Sequence, residues 1–204
     1  MSNPPHDPKR FSRLRRIEQI TESHCGPAVI QMLLENIGVN VTQEEITEAA
    51  GATHTIVTHG TRVDQLAKAV RHFAPDARLW YKEHATAEDL EYILDVCKFP
   101  IAVEWQGLFD EVDEEDEDYG HYSIISHIDK GKDELIVVDP YKDFVDQSRI
   151  LSISLFLTRW WDFNEVKDPQ TGEKVYKKDE QLFFVVAPRN VTFPTELGME
   201  YFEA

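Results

Sequence analysis

Cys25 is followed by Gly26 and Pro27, and then by a run in which Ala28, Val29, Met32, Leu33 and Ile37 recur close to helical spacing. Pro27 falls near the first turn and Gly38 after the last, so the thiol sits at a helix N-terminus. Unpaired N–H groups and aligned peptide dipoles there favour thiolate over thiol. Gly26 lets a substrate backbone come close, and the N–H groups of the first turn, that of Cys25 included, are suited to an oxyanion. A thiolate needs a partner that takes and returns a proton, and histidine is the side chain whose ordinary pKa suits that task. Of the eight histidines, His121 is the best candidate, because it follows Gly120 at the start of the strongly β-forming segment HYSIISHI. The next such segment, ELIVVD, ends at Asp139-Pro140. A hairpin of this length puts His121 and Asp139 on neighbouring strands, where a carboxylate fixes the imidazole tautomer.

These residues have plainer readings, weighed one by one. Cys25 alone reads equally as a small buried apolar residue, and Cys97, before Lys98-Phe99-Pro100, reads as core filler. His127 shares a face with His121 under strict two-residue alternation if no bulge intervenes. His54 and His59 lie in a loop from Gly51 to Gly60 that could cover the cleft, without a convincing third ligand for a metal. Trp160, Trp161, Phe156 and Phe163 read as core before they read as a ligand wall. No metal and no cofactor is expected.

The elements that must carry these groups divide by halves. Thr42 with Glu45, Thr61 with Asp64 and Thr86 with Asp89 each form a capping-box pattern, so four helices are expected before Pro100, with ARLWYKE as a strand between the last two. After Pro100, IAVEW, HYSIISHI, ELIVVD and QLFFVVAP read as an antiparallel sheet, Ser154 to Trp161 as a short helix, and DPQTGEK as the turn of a hairpin. Helices first and strands afterwards is an α+β order. Residues 1–10, with three prolines, read as a loose arm, and 11–204 as one domain interrupted by an acidic insertion at 110–118.

Composition narrows the partners. A formal charge of −17 argues against nucleic acid and anionic membranes, which reward clustered Lys and Arg. No apolar stretch approaches the ~20 residues of a membrane span and no export signal precedes the domain, so the cytoplasm is expected, where two cysteines would stay reduced. Lys9, Arg10, Arg13, Arg15 and Arg16 cluster near the start and read as a solvated stretch.

Gln19-x5-Cys25-Gly26-Pro27-Ala28, followed by GHYSIISHID and VVDPY, resembles the cysteine peptidases that remove double-glycine leaders from bacteriocin precursors, and the stand-alone domains similar to them, over roughly residues 14–165. The resemblance implies a papain-like fold, with N-terminal helices carrying the Cys packed on a C-terminal antiparallel sheet carrying the His and Asp. It also implies roles: Cys25 attacks, His121 is base and acid, Asp139 orients His121, and Gln19 lends its side-chain amide to the oxyanion hole. The expected activity is cleavage of a peptide or isopeptide bond in a peptide or protein substrate, for which the acidic insertion would suit basic sequences. Two alternatives stay open: an acyl or γ-glutamyl transferase with the same residues, and a non-catalytic peptide-binding module on the same fold. The oligomeric state stays open too.

Overall fold

The computed structural model describes residue 11 and residues 14–109, 119–144, 149–168 and 170–203. The expected arm at 1–10 and the acidic insertion at 110–118 lie outside the described residues. In chain order the elements are α1 (Cys25–Asn36), α2 (Gln43–Ala49), α3 (Ile56–His59), α4 (Val63–Phe73), β1 (Ala77–Lys82), α5 (Ala87–Tyr92), β2 (Ile101–Gln106), β3 (Gly120–Asp129) and β4 (Glu134–Val138). They continue with β5 (Arg149–Ser152), α6 (Ile153–Arg159), β6 (Trp161–Lys167), β7 (Lys174–Glu180), β8 (Phe183–Pro188) and β9 (Glu200–Tyr201).

Helix α1 begins at Cys25 and stops where Gly38 takes φ +90° and its N–H closes on the Glu35 carbonyl at 2.9 Å. Two of the three expected capping boxes form. Thr42 N–H donates to Glu45 Oε2 at 2.8 Å and Glu45 N–H to Thr42 Oγ1 at 3.2 Å, and Thr86 and Asp89 exchange the same pair of bonds at 2.8 and 3.2 Å. Each such cap contributes about 1 kcal/mol. The Thr61–Asp64 box does not form, because Thr61 is drawn into the core beside α1. The cap moves one residue on, with Arg62 N–H donating to Gln65 Oε1 at 2.9 Å, while Asp64 pairs with the Arg62 guanidinium. Helix α3 has no counterpart in the sequence reading.

Seven strands form one antiparallel sheet in the order β5-β4-β3-β2-β8-β1-β9, and β6 with β7 makes a separate hairpin around the expected DPQTGEK turn. Along β8 the side chains alternate between two cores. Phe184 and Val186 pack with α1, α2 and α4, whereas Phe183, Val185 and Ala187 pack with α5 and α6. Strand β1, from the helical half, joins the sheet beside β8 and carries β9 on its other side. Trp160 and Phe156 are fully buried, as expected, with Trp160 Nε1 donating to the Leu182 carbonyl at 2.9 Å, and Trp105 lies beside Phe156. Strand β3 has a register shift between Ile125 and His127. Ile125 and Ile128, three residues apart, therefore share one core, and His127 falls on the face opposite His121.

Candidate active site

Cys25 opens α1, whose apolar face lies on β3, and β3 begins at Gly120-His121. The first turn of α1 is pressed so tightly against its surroundings that a Cβ on Gly26 would meet Thr61 Oγ1 at 2.2 Å and the Tyr122 ring at 3.3 Å. That approach brings the Cys25 helix to the strand carrying the His121 imidazole. Both cysteines are free thiols, Cys25 buried and Cys97 half-buried at the end of the turn after α5.

His121 is 3 % exposed, and its Nε2 lies 2.8 Å from Asp139 Oδ1. Its other nitrogen, Nδ1, is then the atom left to face the Cys25 sulfur, which acts on the imidazole charge. Phe109 stands edge-on to the imidazole at 4.9 Å and keeps water from the ring. Burial works against the imidazolium, but the Asp139 carboxylate, its hydrogen bond and the Cys25 sulfur outweigh it and raise His121 to about 9. Burial alone would raise Asp139; His121, the Tyr141 N–H at 2.9 Å and Arg149 instead hold it well below the usual carboxylate range.

Asp139, just past β4, is held from two further directions. Arg149 Nη1 is 2.6 Å from its Oδ2 and Arg149 Nη2 donates to the Leu108 carbonyl at 2.7 Å, while the guanidinium stacks on the Phe144 ring at 3.8 Å. Arg16 Nε donates to the Asp139 carbonyl at 2.6 Å, and its Nη2 to the Tyr141 carbonyl. Arg16 is thus part of the site's framework rather than of a solvated stretch. Gln19 N–H donates to the Pro140 carbonyl at 2.9 Å, which ties the segment before α1 to the same loop. The Gln19 side chain is buried, with Nε2 donating to the Thr21 carbonyl at 2.8 Å and Oε1 accepting from no described residue.

Cys25 opens into a cleft of about 1070 Å³ whose walls are the Gly51–Arg62 connection, with α3, and the β6–β7 hairpin. His59 lines it and His54 does not. Phe163, expected in the core, is 44 % exposed and faces this cleft together with Val57 and Tyr176. Beneath it runs a buried polar chain: the Tyr122 hydroxyl donates to Glu104 Oε1, which also accepts from Asn164 Nδ2 at 3.1 Å, and Asn164 donates to Asp179 Oδ2 at 3.0 Å. Burial raises the Glu104 carboxyl to about 7, against the pull of the Tyr122 and Asn164 hydrogen bonds. Asp162, which accepts from Gln106 Nε2 at 3.1 Å, is a further hydrogen-bonding neighbour of Glu104.

His121 and Asp139 therefore meet at one strand end beside the start of the Cys25 helix, and Gln19 is tied to the same loop through its backbone. Arg149, Arg16 and the Glu104 network escaped the sequence reading. Nothing local distinguishes an arginine ten residues beyond Asp139, or a Glu within IAVEW, from a surface charge. Among the described residues no group of three side chains is arranged to hold a metal ion, and no helix is long and apolar enough to cross a membrane.

Comparison with known proteins places this geometry. Residues 11–168 match the model of the Peptidase_C39 like family. The fold is similar to the peptidase domain of Streptococcus ComA, a bifunctional ABC transporter of a quorum-sensing pathway, at 17 % identity, with a TM-score of 0.57, over 86 % of this chain and 99 % of that one. It is also similar to a double glycine motif protease from an AMS/PCAT transporter, solved with its leader peptide, at 16 % identity, with a TM-score of 0.52, over 86 % of this chain and 94 % of that one. No curated protein sequence matches the chain.

Proposed function

Since the chain belongs to the Peptidase_C39 like family, with the papain-like peptidase-domain fold, we propose that it is a cysteine peptidase acting through Cys25, His121, Asp139 and Gln19. Family and fold support a cysteine-peptidase-like function. The observation that carries the finer reading is the buried imidazole whose Nε2 lies 2.8 Å from Asp139 Oδ1, with the Cys25 sulfur close enough to raise its pKa.

In the proposed reaction the Cys25 thiol passes its proton to His121 Nδ1, and the sulfur attacks the substrate carbonyl carbon, forming a C–S bond and a tetrahedral oxyanion. The second Nε2 hydrogen of Gln19, not the one on Thr21, and the Cys25 N–H receive that charge. Collapse breaks the C–N bond, with the Nδ1 proton going to the departing amine. His121 then takes a proton from water, whose oxygen attacks the thioester, and Cys25 leaves as the free thiol when the acid product forms. Asp139 holds the imidazole in the tautomer these transfers need, and Arg149 and Tyr141 hold Asp139. The substrate is a peptide laid between α3 and the β6–β7 hairpin; the complex of the AMS/PCAT protease with a leader peptide supports a peptide occupant.

The test is exposure of a mixed peptide library to the purified protein and to Cys25→Ala, with new termini read by mass spectrometry. New carboxyl termini from the wild type alone support hydrolysis. Products joined to an added amine instead point to a transferase. Peptides retained equally by both proteins and left uncut would replace the catalytic reading by a binding module.

A further inference from the structure

Away from the Cys25 cleft, and sharing none of its lining residues, lies a second cavity of about 370 Å³ at the edge of the large sheet. Arg71 reaches it from α4, Arg78 from β1 and Arg189 from just past β8, with Tyr201, Phe202 and one acidic residue, Glu203, beside them. The sequence holds 38 acidic residues against 21 basic ones, so a described arginine has carboxylates in plentiful supply. Arg15, Arg62 and Arg149 each take one, at 3.7, 3.0 and 2.6 Å. Arg16 and Arg159 hold backbone carbonyls. Among the described residues the three cavity arginines make no ion pair: Arg71 has a 3.4 Å contact with the Glu203 carbonyl, and Arg78 lies over the Tyr201 ring at 4.3 Å.

The backbone adds a second feature. Strand β1 is paired on its β8 side from Ala77 to Lys82, but β9 covers its other side only at Trp80 and Tyr81. The outer edge of Ala77–Leu79 thus runs along the cavity with no paired strand against it, the Ala77 N–H being taken by the Ala74 carbonyl at 2.8 Å. An open edge recruits an extended chain through main-chain hydrogen bonds, and guanidiniums select carboxylates by paired, planar hydrogen bonds. From this juxtaposition we infer that the cavity binds an acidic, extended peptide segment of a partner, its main chain along Ala77–Leu79 and its carboxylates on Arg71, Arg78 and Arg189. A free oxyanion would use the arginines and ignore the strand edge.

The probe is a fluorescein-labelled hexapeptide of alternating Glu and Val, followed by anisotropy on Cys25→Ala protein so that cleavage cannot intervene. The Gln–Val hexapeptide serves as the uncharged control. Expected are saturable binding of the Glu–Val peptide alone, weakening as salt is raised, and at least about tenfold weaker binding, ~1.4 kcal/mol, in the combined Arg71→Gln, Arg78→Gln, Arg189→Gln variant. Arg189→Gln, at an exposed position, supplies a single variant that leaves the packing alone and weakens binding by about threefold. No saturable binding, or equal binding by the combined variant, overturns the inference. Displacement by equimolar inorganic phosphate overturns it too, by making the cavity a simple anion site.

Discussion

Replacing Arg149 by methionine keeps most of the aliphatic stem and removes the guanidinium from both Asp139 and the Phe144 ring. The pair it breaks is short, 2.6 Å, with side-chain exposures of 10 % and 0 %. Stripping one partner from such a pair leaves a buried charge behind and costs about 3–5 kcal/mol. His121 and the Tyr141 N–H still hold the carboxylate, which sets the expectation at the lower end, about 3 kcal/mol. The substitution acts on the imidazole in the opposite sense. Arg149 and His121 sit on opposite oxygens of one carboxylate, so their charges are about 7 Å apart and repel by roughly 2.4 kcal/mol at an effective dielectric near 20. That is between one and two pKa units, roughly, by which His121 rises once the guanidinium is gone. Urea unfolding at neutral pH reads the first effect. NMR titration of the imidazole, comparing Cys25→Ala with and without Arg149→Met, reads the second. A loss below about 0.5 kcal/mol together with an unmoved or lowered His121 would refute the view that Arg149 shapes the charge balance around Asp139.

Four further outcomes are expected. Glu104 has a folded value of about 7 against 4.5 for the ordinary group, so its protonated form is favoured by folding: stability is full below pH ~4.5 and falls by roughly 3 kcal/mol by pH ~7, a slope that Glu104→Gln removes in urea melts run across that range. His121, raised from 6.5 to about 9, contributes stability that is full below pH ~6.5 and lost by pH ~9, so the Glu104→Gln protein keeps that later decline, and a flat profile there would contradict the ion-paired imidazole. Alkylation of Cys25 at pH ~6.5 should slow by at least about tenfold in His121→Ala, measured by mass spectrometry, and an unchanged rate counts against His121 as its proton acceptor. Gly26→Ala, whose Cβ would lie 2.2 Å from Thr61 Oγ1, should destabilise by about 1–3 kcal/mol in thermal melts, with much of the loss recovered by adding Thr61→Ala.

What the chain states locally, it states well. The helix from Cys25 follows from apolar spacing between Pro27 and Gly38, two caps follow from a hydroxyl three residues before a carboxylate, and the β6–β7 hairpin follows from its polar DPQTGEK turn. The approach of His121 to Asp139 was legible as well, because a short hairpin brings the start of one strand beside the end of the next. Other features depend on what lies across the fold. Thr61 gave up its cap because α1 packs against it at Gly26, a contact between residues 35 apart in sequence. The bulge at Ser126 moved His127 to the far face through an extra residue that alternation cannot foresee. Arg149, Arg16 and Glu104 look in the sequence like any solvated charge, and burial beside particular partners is what makes one hold Asp139, another its carbonyl and the third keep its proton. Sequence alone determined the elements and the candidate nucleophile, base and orienting acid, because spacing along a chain sets periodicity and short-range pairing. Only the tertiary structure decided which charges face one another in a medium of low dielectric, because desolvation and Coulomb energy depend on distances through space that the order of residues does not contain.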